Sequence, residues 1–236
     1  MSAYEPQIAY RGKYCGAVIV AAGSASRMEG IDKALAPLGT EPVIVHAIRA
    51  FQSCSAIGEI VIVTRRDLLE KIAELAEPFS KIKGVVVGGA DRTQSVLCGL
   101  QVLSDKVQLA AIHDGARPLI TPELIEKTVA AADFHGAAAP AIPVKDTIKS
   151  VQNHWVLGTP DRSSLRAVQT PQVFDLPDLL TALSQAVSEG AAITDDCSAL
   201  ERMGIPVYLV DGQESNIKIT TPMDLKVAQL LWEERQ

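Results

Sequence analysis

The chain has 236 residues, a mass of 25.1 kDa and a formal net charge of −6, with 47% hydrophobic and 21% charged residues. This composition excludes an intrinsically disordered chain, and the length suits one large domain or two small ones, with a single core feasible. The acidic balance and an aromatic content of 4% exclude a general nucleic-acid binder and a stacking platform for single strands, but leave room for a small phosphorylated ligand met by a local cluster of cations.

Residues 1–13 are polar and read as a short tail without the apolar core of a signal segment. Residues 16–21 (GAVIVA) form an apolar run ending at Gly23, which predicts a buried strand. Residues 43–51 have helical spacing behind Pro42, a favourable first-turn residue. Residues 60–63 are β-branched and predict a second strand. In 67–75, Leu68, Ile72 and Leu75 mark a helical face with Asp67 as its cap. Residues 85–87 predict a third strand closed by Gly88 and Gly89. Residues 93–103 predict a helix with Val96, Leu97, Leu100 and Leu103 on one side, and 109–113 a fourth strand. Thr121 caps a helix over 122–134, and 137–142 predict a fifth strand. Nearly continuous apolar strands alternating with helices predict a parallel sheet covered on both faces, with ligands at the carboxyl ends of the strands. That rule points at residues 22–33, 88–95 and 114–118.

The alternation stops near Pro143. From 143 to 171 the chain is polar, with short β-like pieces at 147–151 and 155–157, and reads as a hairpin arm. Exposed Trp155 and Val156 would leave such an arm marginal by itself, so a second copy is the expected partner; a hairpin folded back on its own domain is the alternative. Helices follow at 178–189 and 196–203, then a strand at 206–210 and a last helix from Pro222. The chain reads as one domain over 1–236 with the arm, 143–171, inside it. Cys15, Cys54, Cys98 and Cys197 lie far apart without a CxxC pair, which fits reduced, mostly buried thiols rather than a zinc or redox motif. The apolar runs are far shorter than the about 20 residues of a bilayer span, so the expected location is cytoplasmic, away from membranes.

Residues 21–28 (AAGSASRM), followed by Lys33, are the strongest local signal. Small residues after a first strand let backbone N–H groups approach a phosphate, and Arg27 and Lys33 bring positive charge to the same place. Neither GxxxxGK[ST] nor GxGxxG is present, which disfavours a P-loop and a hydride-transfer dinucleotide fold. Residues 88–95 (GGADRTQS) form a second glycine-rich strand end. Gly89 would allow close approach of a flat base and Ser95 a hydrogen bond to its edge, although the segment taken alone reads rather as a helix start capped by Asp91 or Thr93. In 113–118 (HDGARP), Asp114 could hold Mg2+ or accept from polyol hydroxyls, or cap a helix; Arg117 could pair an acid, and His113 reads as a satisfied strand-end histidine. Lys218, in the strand-like run NIKIT, needs a negative partner or blunts a sheet edge.

Taken in order, AAGSASRM with Lys33, GGADRTQS, HDGARP, VKDT, DRSSL with TPQ, ITDD and NIKIT resemble the 2-C-methyl-D-erythritol 4-phosphate cytidylyltransferases over residues 16–220. The resemblance implies an α/β, Rossmann-like three-layer sandwich with a mostly parallel sheet and a protruding β-arm. It also implies a homodimer with arm exchange, and Mg2+-dependent transfer of CMP from CTP to a polyol phosphate with release of pyrophosphate, for isoprenoid precursor synthesis. By position, Ala21, Ala22, Gly23 and Ser24 would wrap the triphosphate, while Arg27, Lys33 and Lys218 would neutralise charge at the α-phosphate. Gly89, Ala90 and Ser95 would read cytosine. Asp114 would contact the sugar or polyol and help place Mg2+. Thr147 and Arg162 would reach in from the second copy's arm, with Thr170 and Thr194 lining the same pocket. Asp32 and Ala34 stand where the family commonly has Pro and Gln, which places a negative charge beside Lys33. A ribitol-5-phosphate cytidylyltransferase and a non-catalytic nucleotide-binding regulator are the competing readings.

Overall fold

The structure is a computed structural model that describes residues 12–23 and 32–235. Its elements, in chain order, begin with β1 (Cys15–Ala21), a tight β2 (Pro37–Leu38) and β3 (Glu41–Pro42) pair, α1 (Val43–Ser53) and β4 (Ile57–Thr64). A single 3-10 turn, Arg66–Leu68, leads into α2 (Leu69–Ala76), β5 (Ile82–Val87), α3 (Arg92–Leu100), β6 (Leu109–Asp114), α4 (Pro122–His135) and β7 (Ala137–Pro143). Then come β8 (Ser150–Gln152), β9 (Trp155–Gly158), β10 (Arg166–Val168), β11 (Gln172–Asp175), α5 (Leu176–Ser188), α6 (Asp196–Arg202), β12 (Tyr208–Asp211) and α7 (Pro222–Glu233).

The first five predicted strands and their helices appear where periodicity puts them. Asp67 is not the cap of α2: its carboxylate pairs with Arg65, and the 3-10 turn carries the chain into the helix. Thr121 does cap α4, accepting from Leu124 N–H at 3.3 Å. The NIKIT run is not a strand. It has no regular secondary structure and is tied to the segment after β6 by Ile219 N–H donating to Ala116 O at 2.8 Å.

β1 lies between β4 and β6, all parallel, and β5 continues the sheet beyond β4. The other half is mixed. β11 runs antiparallel between β6 and β7, β10 extends the same edge of β7, and β12 pairs parallel with β7 on its far edge. The antiparallel strands were not visible as such, because β10 and β11 are only three and four residues long and sit within a polar stretch. Between β1 and β6 the strand order reverses, which opens a crevice at their carboxyl ends.

Two apolar layers cover the sheet. Ile19, Ile60 and Ile62 point to one face, where α1, α2 and α4 supply Ile48, Phe51, Ile72 and Ile125. Val18, Val63, Ile112 and Phe174 point to the other, where α3, α5 and α6 supply Val96, Leu183 and Leu200. Alternate residues of one strand thus serve opposite cores, which is why the strands read as unbroken apolar runs. A smaller cluster joins Leu38, Val43 and Leu119 to Ile219 and Ala228 of α7. Among the described residues no helix is long and apolar enough to cross a membrane.

Within the 143–171 segment, β8 and β9 form an antiparallel hairpin with Gln152 opposite Trp155. Its two-residue turn, Asn153 and His154, has positive φ at both positions, the geometry that matches the twist of paired strands. The hairpin is narrower than the segment as a whole, because Arg166–Val168 returns to the main sheet. Trp155, 79% exposed, Val151, Val156 and Leu157 all lie on the surface of the arm.

α3 sits so close to the sheet that a Cβ on Gly99 would fall 2.4 Å from Val18 Cγ1 and 2.7 Å from Val63 Cγ2. Gly99→Ala is therefore expected to destabilise the protein by about 1–3 kcal/mol through overpacking, despite alanine's better helix propensity. Urea denaturation checks this, and an unchanged or raised midpoint would refute the close packing.

Candidate active site at the carboxyl ends of β1 and β6

A pocket of about 320 Å³ opens over the crevice. Ala21, Ala22 and Gly23 bring the end of β1 to it, Gly89, Ala90, Asp91, Arg92 and Ser95 the turn from β5 into α3, and Asp114 and Ala116 the end of β6. Lys33, Arg65 and Lys218 complete it from three other segments. Sequence positions more than a hundred residues apart converge because parallel strands end together on one edge of the sheet. Ser24 and Arg27 lie outside the described residues.

Asp114 organises the cations. Lys218 Nζ lies 2.7 Å from its Oδ2, Arg117 Nε 3.9 Å from the same oxygen, and Arg92 Nε 3.7 Å from Oδ1. Burial alone would raise the Asp114 pKa; Lys218, Arg92 and Arg117 outweigh it and bring it down to about 2. Arg92 also reaches Asp196 at 2.8 Å, so its guanidinium links the start of α3 to that of α6. Arg92, Arg65 and Asp196 were absent from the sequence expectations for the site, whereas Arg117 pairs an acid as expected, namely Asp114. Arginine beside an aspartate is common in any soluble chain, and only the strand ends bring these together.

Lys33 borders the strand end, with Nζ 3.4 Å from where a side chain on Gly23 would begin. The negative charge beside it is directed elsewhere. Asp32 Oδ2 takes Arg65 Nη1 at 2.5 Å, and its Oδ1 accepts Ala34 N–H at 2.8 Å. Asp32 thus anchors the turn that presents Lys33.

Ser95 is buried and occupied. Its hydroxyl accepts Gly89 N–H at 3.2 Å and donates to Asp91 O at 2.7 Å, so it steadies the loop that borders the pocket. Asp91 caps α3, accepting Gln94 N–H at 2.8 Å. Thr170 does not line the pocket. It lies buried behind Asp114, where its hydroxyl accepts Asp114 N–H at 3.1 Å and meets His113 Nδ1 at 3.0 Å. Thr194 is exposed just before α6, and Thr147 and Arg162 belong to the arm. Arg162 donates to Lys145 O at 2.7 Å and borders a second, open cleft with Arg166 and Lys145. Within one chain these three residues are not gathered with Lys33 and Lys218.

His113 is a structural histidine. Its Nε2 faces Arg117 O at 3.2 Å, an atom that can only accept, so Nε2 carries the proton and Nδ1 accepts from Thr170. Beneath this pair, Asn216 Nδ2 donates to Thr170 O at 3.0 Å, and Arg117 Nη1 donates to Asn216 O at 2.7 Å. The network fastens the segment carrying Lys218 to the end of β6.

The expected metal role of Asp114 does not suit this geometry. Among the described residues no three His, Cys, Asp or Glu side chains cluster to hold a metal ion. Asp114 is a single carboxylate already surrounded by three cations, whereas a protein-held Mg2+ needs open carboxylate oxygens around it. The residues present do not fit a resident Mg2+.

Burial lowers the pKa of His113 from 6.5 to about 4. A histidine kept neutral in the fold binds fewer protons there than in the unfolded chain, so its contribution is complete above pH 6.5 and is lost as pH falls towards 4. Stability should drop by roughly 3 kcal/mol across that window from this group. Denaturant titrations at several pH values should show the slope in the wild type and a flatter one in His113→Gln; equal slopes would refute the assignment.

A profile of the 2-C-methyl-D-erythritol 4-phosphate cytidylyltransferase family matches residues 15–234. The chain is 43% identical over 219 residues to the 2-C-methyl-D-erythritol 4-phosphate cytidylyltransferase of Symbiobacterium thermophilum, covering 92% of each. It is 44% identical to that of Caldanaerobacter subterraneus subsp. tengcongensis, over 91% of this chain and 96% of the relative. Among solved structures, the 4-diphosphocytidyl-2C-methyl-D-erythritol synthase from Anaerococcus prevotii superposes with a TM-score of 0.85 at 32% identity, covering 94% of this chain and 96% of that one. The 2-C-methyl-D-erythritol 4-phosphate cytidylyltransferase from Thermus thermophilus gives a TM-score of 0.75 at 30% identity, over 92% and 98%. With its cation-lined crevice and a match that runs from the first strand to the last helix, the chain belongs to the 2-C-methyl-D-erythritol 4-phosphate cytidylyltransferase family.

Proposed function

We propose that the pocket between β1 and β6 carries out CTP-dependent cytidylyl transfer to 2-C-methyl-D-erythritol 4-phosphate through charge and position alone. The observation that supports this is the pocket's composition: Lys33, Arg65, Arg92 and Lys218 gather beside a strand end of small residues, and His113 at the end of β6 is buried and engaged with Arg117 O and Thr170. The attacking atom is a phosphate oxygen of the acceptor. It forms a bond to the α-phosphorus of CTP as the bond from that phosphorus to the bridging oxygen breaks, and pyrophosphate leaves with the electron pair. The attacking oxygen is already anionic, so no general base is required. What the protein must supply is in-line placement and neutralisation of charge.

We assign the triphosphate to the backbone of Ala21, Ala22, Gly23 and Ser24, and the growing charge to Lys33, Lys218 and Arg27. Lys218 is aimed by Asp114, which also offers an acceptor to a sugar or polyol hydroxyl. The successive N–H groups of Gly89 and Ala90 suit the adjacent acceptors O2 and N3 of cytosine, whereas uracil presents a donor at N3. Mg2+ belongs to this reading as part of the nucleotide substrate, carried on the triphosphate. Thr147 and Arg162 would act on the acceptor from a second copy, with Thr194 beside them; Thr170 acts from behind, by holding Asp114 and His113. The exposed apolar arm supports a homodimer, and four free cysteines support a reducing, cytoplasmic location.

The direct assay follows pyrophosphate from Mg·CTP with 2-C-methyl-D-erythritol 4-phosphate, with ribitol 5-phosphate as comparator; faster release with ribitol 5-phosphate would overturn the substrate assignment. Lys33→Ala should keep its circular dichroism and lose on the order of 10²–10³ in turnover, the weight of one charge-stabilising group; near-normal turnover would remove Lys33 from the chemistry. Trp155→Asp should convert a dimer to a monomer in sedimentation velocity at micromolar concentration. A wild type that is already monomeric would defeat the arm-exchange reading.

A further inference from the structure

Two neighbouring amides that border the pocket already have acceptors. Gly89 N–H donates to Ser95 Oγ at 3.2 Å and Ala90 N–H donates to Gln94 Oε1 at 3.2 Å. The two acceptors differ in how firmly they are set. The Ser95 hydroxyl is buried and donates onward to Asp91 O at 2.7 Å. The Gln94 carboxamide is only half-buried, and beyond Ala90 it is held by one weak contact, Nε2 donating to Asp91 Oδ2 at 3.2 Å. Its backbone N–H, donating to Asp91 Oδ1 at 2.8 Å, belongs to the cap of α3 and does not depend on the side chain.

The carboxamide also lies against the loop. Gln94 Cβ would stand 2.4 Å, and Oε1 3.1 Å, from a Cβ placed on Gly89. Glycine at 89 is what lets the glutamine fold over the turn and reach Ala90. A primary amide presents a carbonyl acceptor beside an NH2 donor. Cytosine presents the same pair on its edge, N3 beside the exocyclic amine. The side chain therefore offers the loop, in miniature, the hydrogen-bonding pattern of the base assigned to it.

We propose that Gln94 is an affinity-setting residue: its carboxamide is a displaceable stand-in for the cytosine edge, covering Ala90 N–H until the nucleobase takes its place. The inference rests on the reading of this loop as the base contact. Binding then exchanges one hydrogen bond for another instead of adding one. CTP affinity is lowered by the weight of one ordinary hydrogen bond, roughly 3- to 10-fold. The stand-in also keeps that donor oriented and away from other acceptors.

The experiment titrates Mg·CTP calorimetrically into wild type, Gln94→Met and Gln94→Ala. Both substitutions keep a Cβ over Gly89 and a good helix former at the third position of α3. Both should bind CTP roughly 3- to 10-fold more tightly, with the KM for CTP falling in parallel. The KM for the polyol phosphate should not change, and kcat should not rise, because the product carries the same base. A lower melting temperature with unchanged CTP affinity would make the Gln94 side chain a stabiliser of the turn only and overturn the proposal. Weaker CTP binding would make it a direct base contact and overturn it equally. Wild-type protein titrated with CTP and UTP tests the underlying reading separately. No preference for CTP there would remove the base contact itself, whereas a preference without tightening in the variants would remove only the role of Gln94.

Discussion

The carboxylate of Asp114 is the point on which this site depends. It stands at the end of β6, nearly buried, with Lys218, Arg92 and Arg117 gathered around it. A lone buried carboxylate would be expensive to ionise, and three cations without it would repel one another. Together they hold positive charge beside the pocket in a chain whose net charge is −6. The low pKa of Asp114 is the electrostatic signature of that arrangement.

Support for this centre comes from behind rather than from the pocket. Thr170 links the backbone of Asp114 to His113, His113 reaches the carbonyl of Arg117, and Asn216 ties the segment of Lys218 to Thr170. These are polar contacts in a buried setting, where satisfied groups fix geometry and unsatisfied ones are costly. They make a rigid back wall from three stretches of sequence. On the opposite side of β1, α3 is pressed against Val18 and Val63 at Gly99, which sets where the Gly89–Ala90 turn meets the pocket.

Acidic overall charge and anionic substrates are compatible for a simple reason. Coulomb interactions are screened over about 10 Å at ordinary salt, so distant surface acids weigh little against a lysine a few ångströms away. What matters is local placement. Asp32 illustrates it: a carboxylate next to Lys33 in sequence is turned towards Arg65 and steadies the turn.

Much of the architecture was legible along the chain. Unbroken apolar strands alternating with amphipathic helices require a sheet buried on both faces, because hydrophobic periodicity is a local property that survives in one dimension. The small-residue strand end before Gly23, and Lys33 and Asp114 as pocket residues, were legible for the same reason. Short strands in polar surroundings were not: Arg166–Val168 and Gln172–Asp175 become strands only because β6 and β7 offer them partners. Nor did the sequence distinguish Lys218 on a sheet edge from Lys218 beside Asp114, or Thr170 in a pocket from Thr170 behind one. Arg92 and Asp196 carry no local pattern at all. Such residues take their roles from ion pairs and hydrogen bonds between segments far apart in the chain, and those contacts exist only once the sheet has brought its strand ends together.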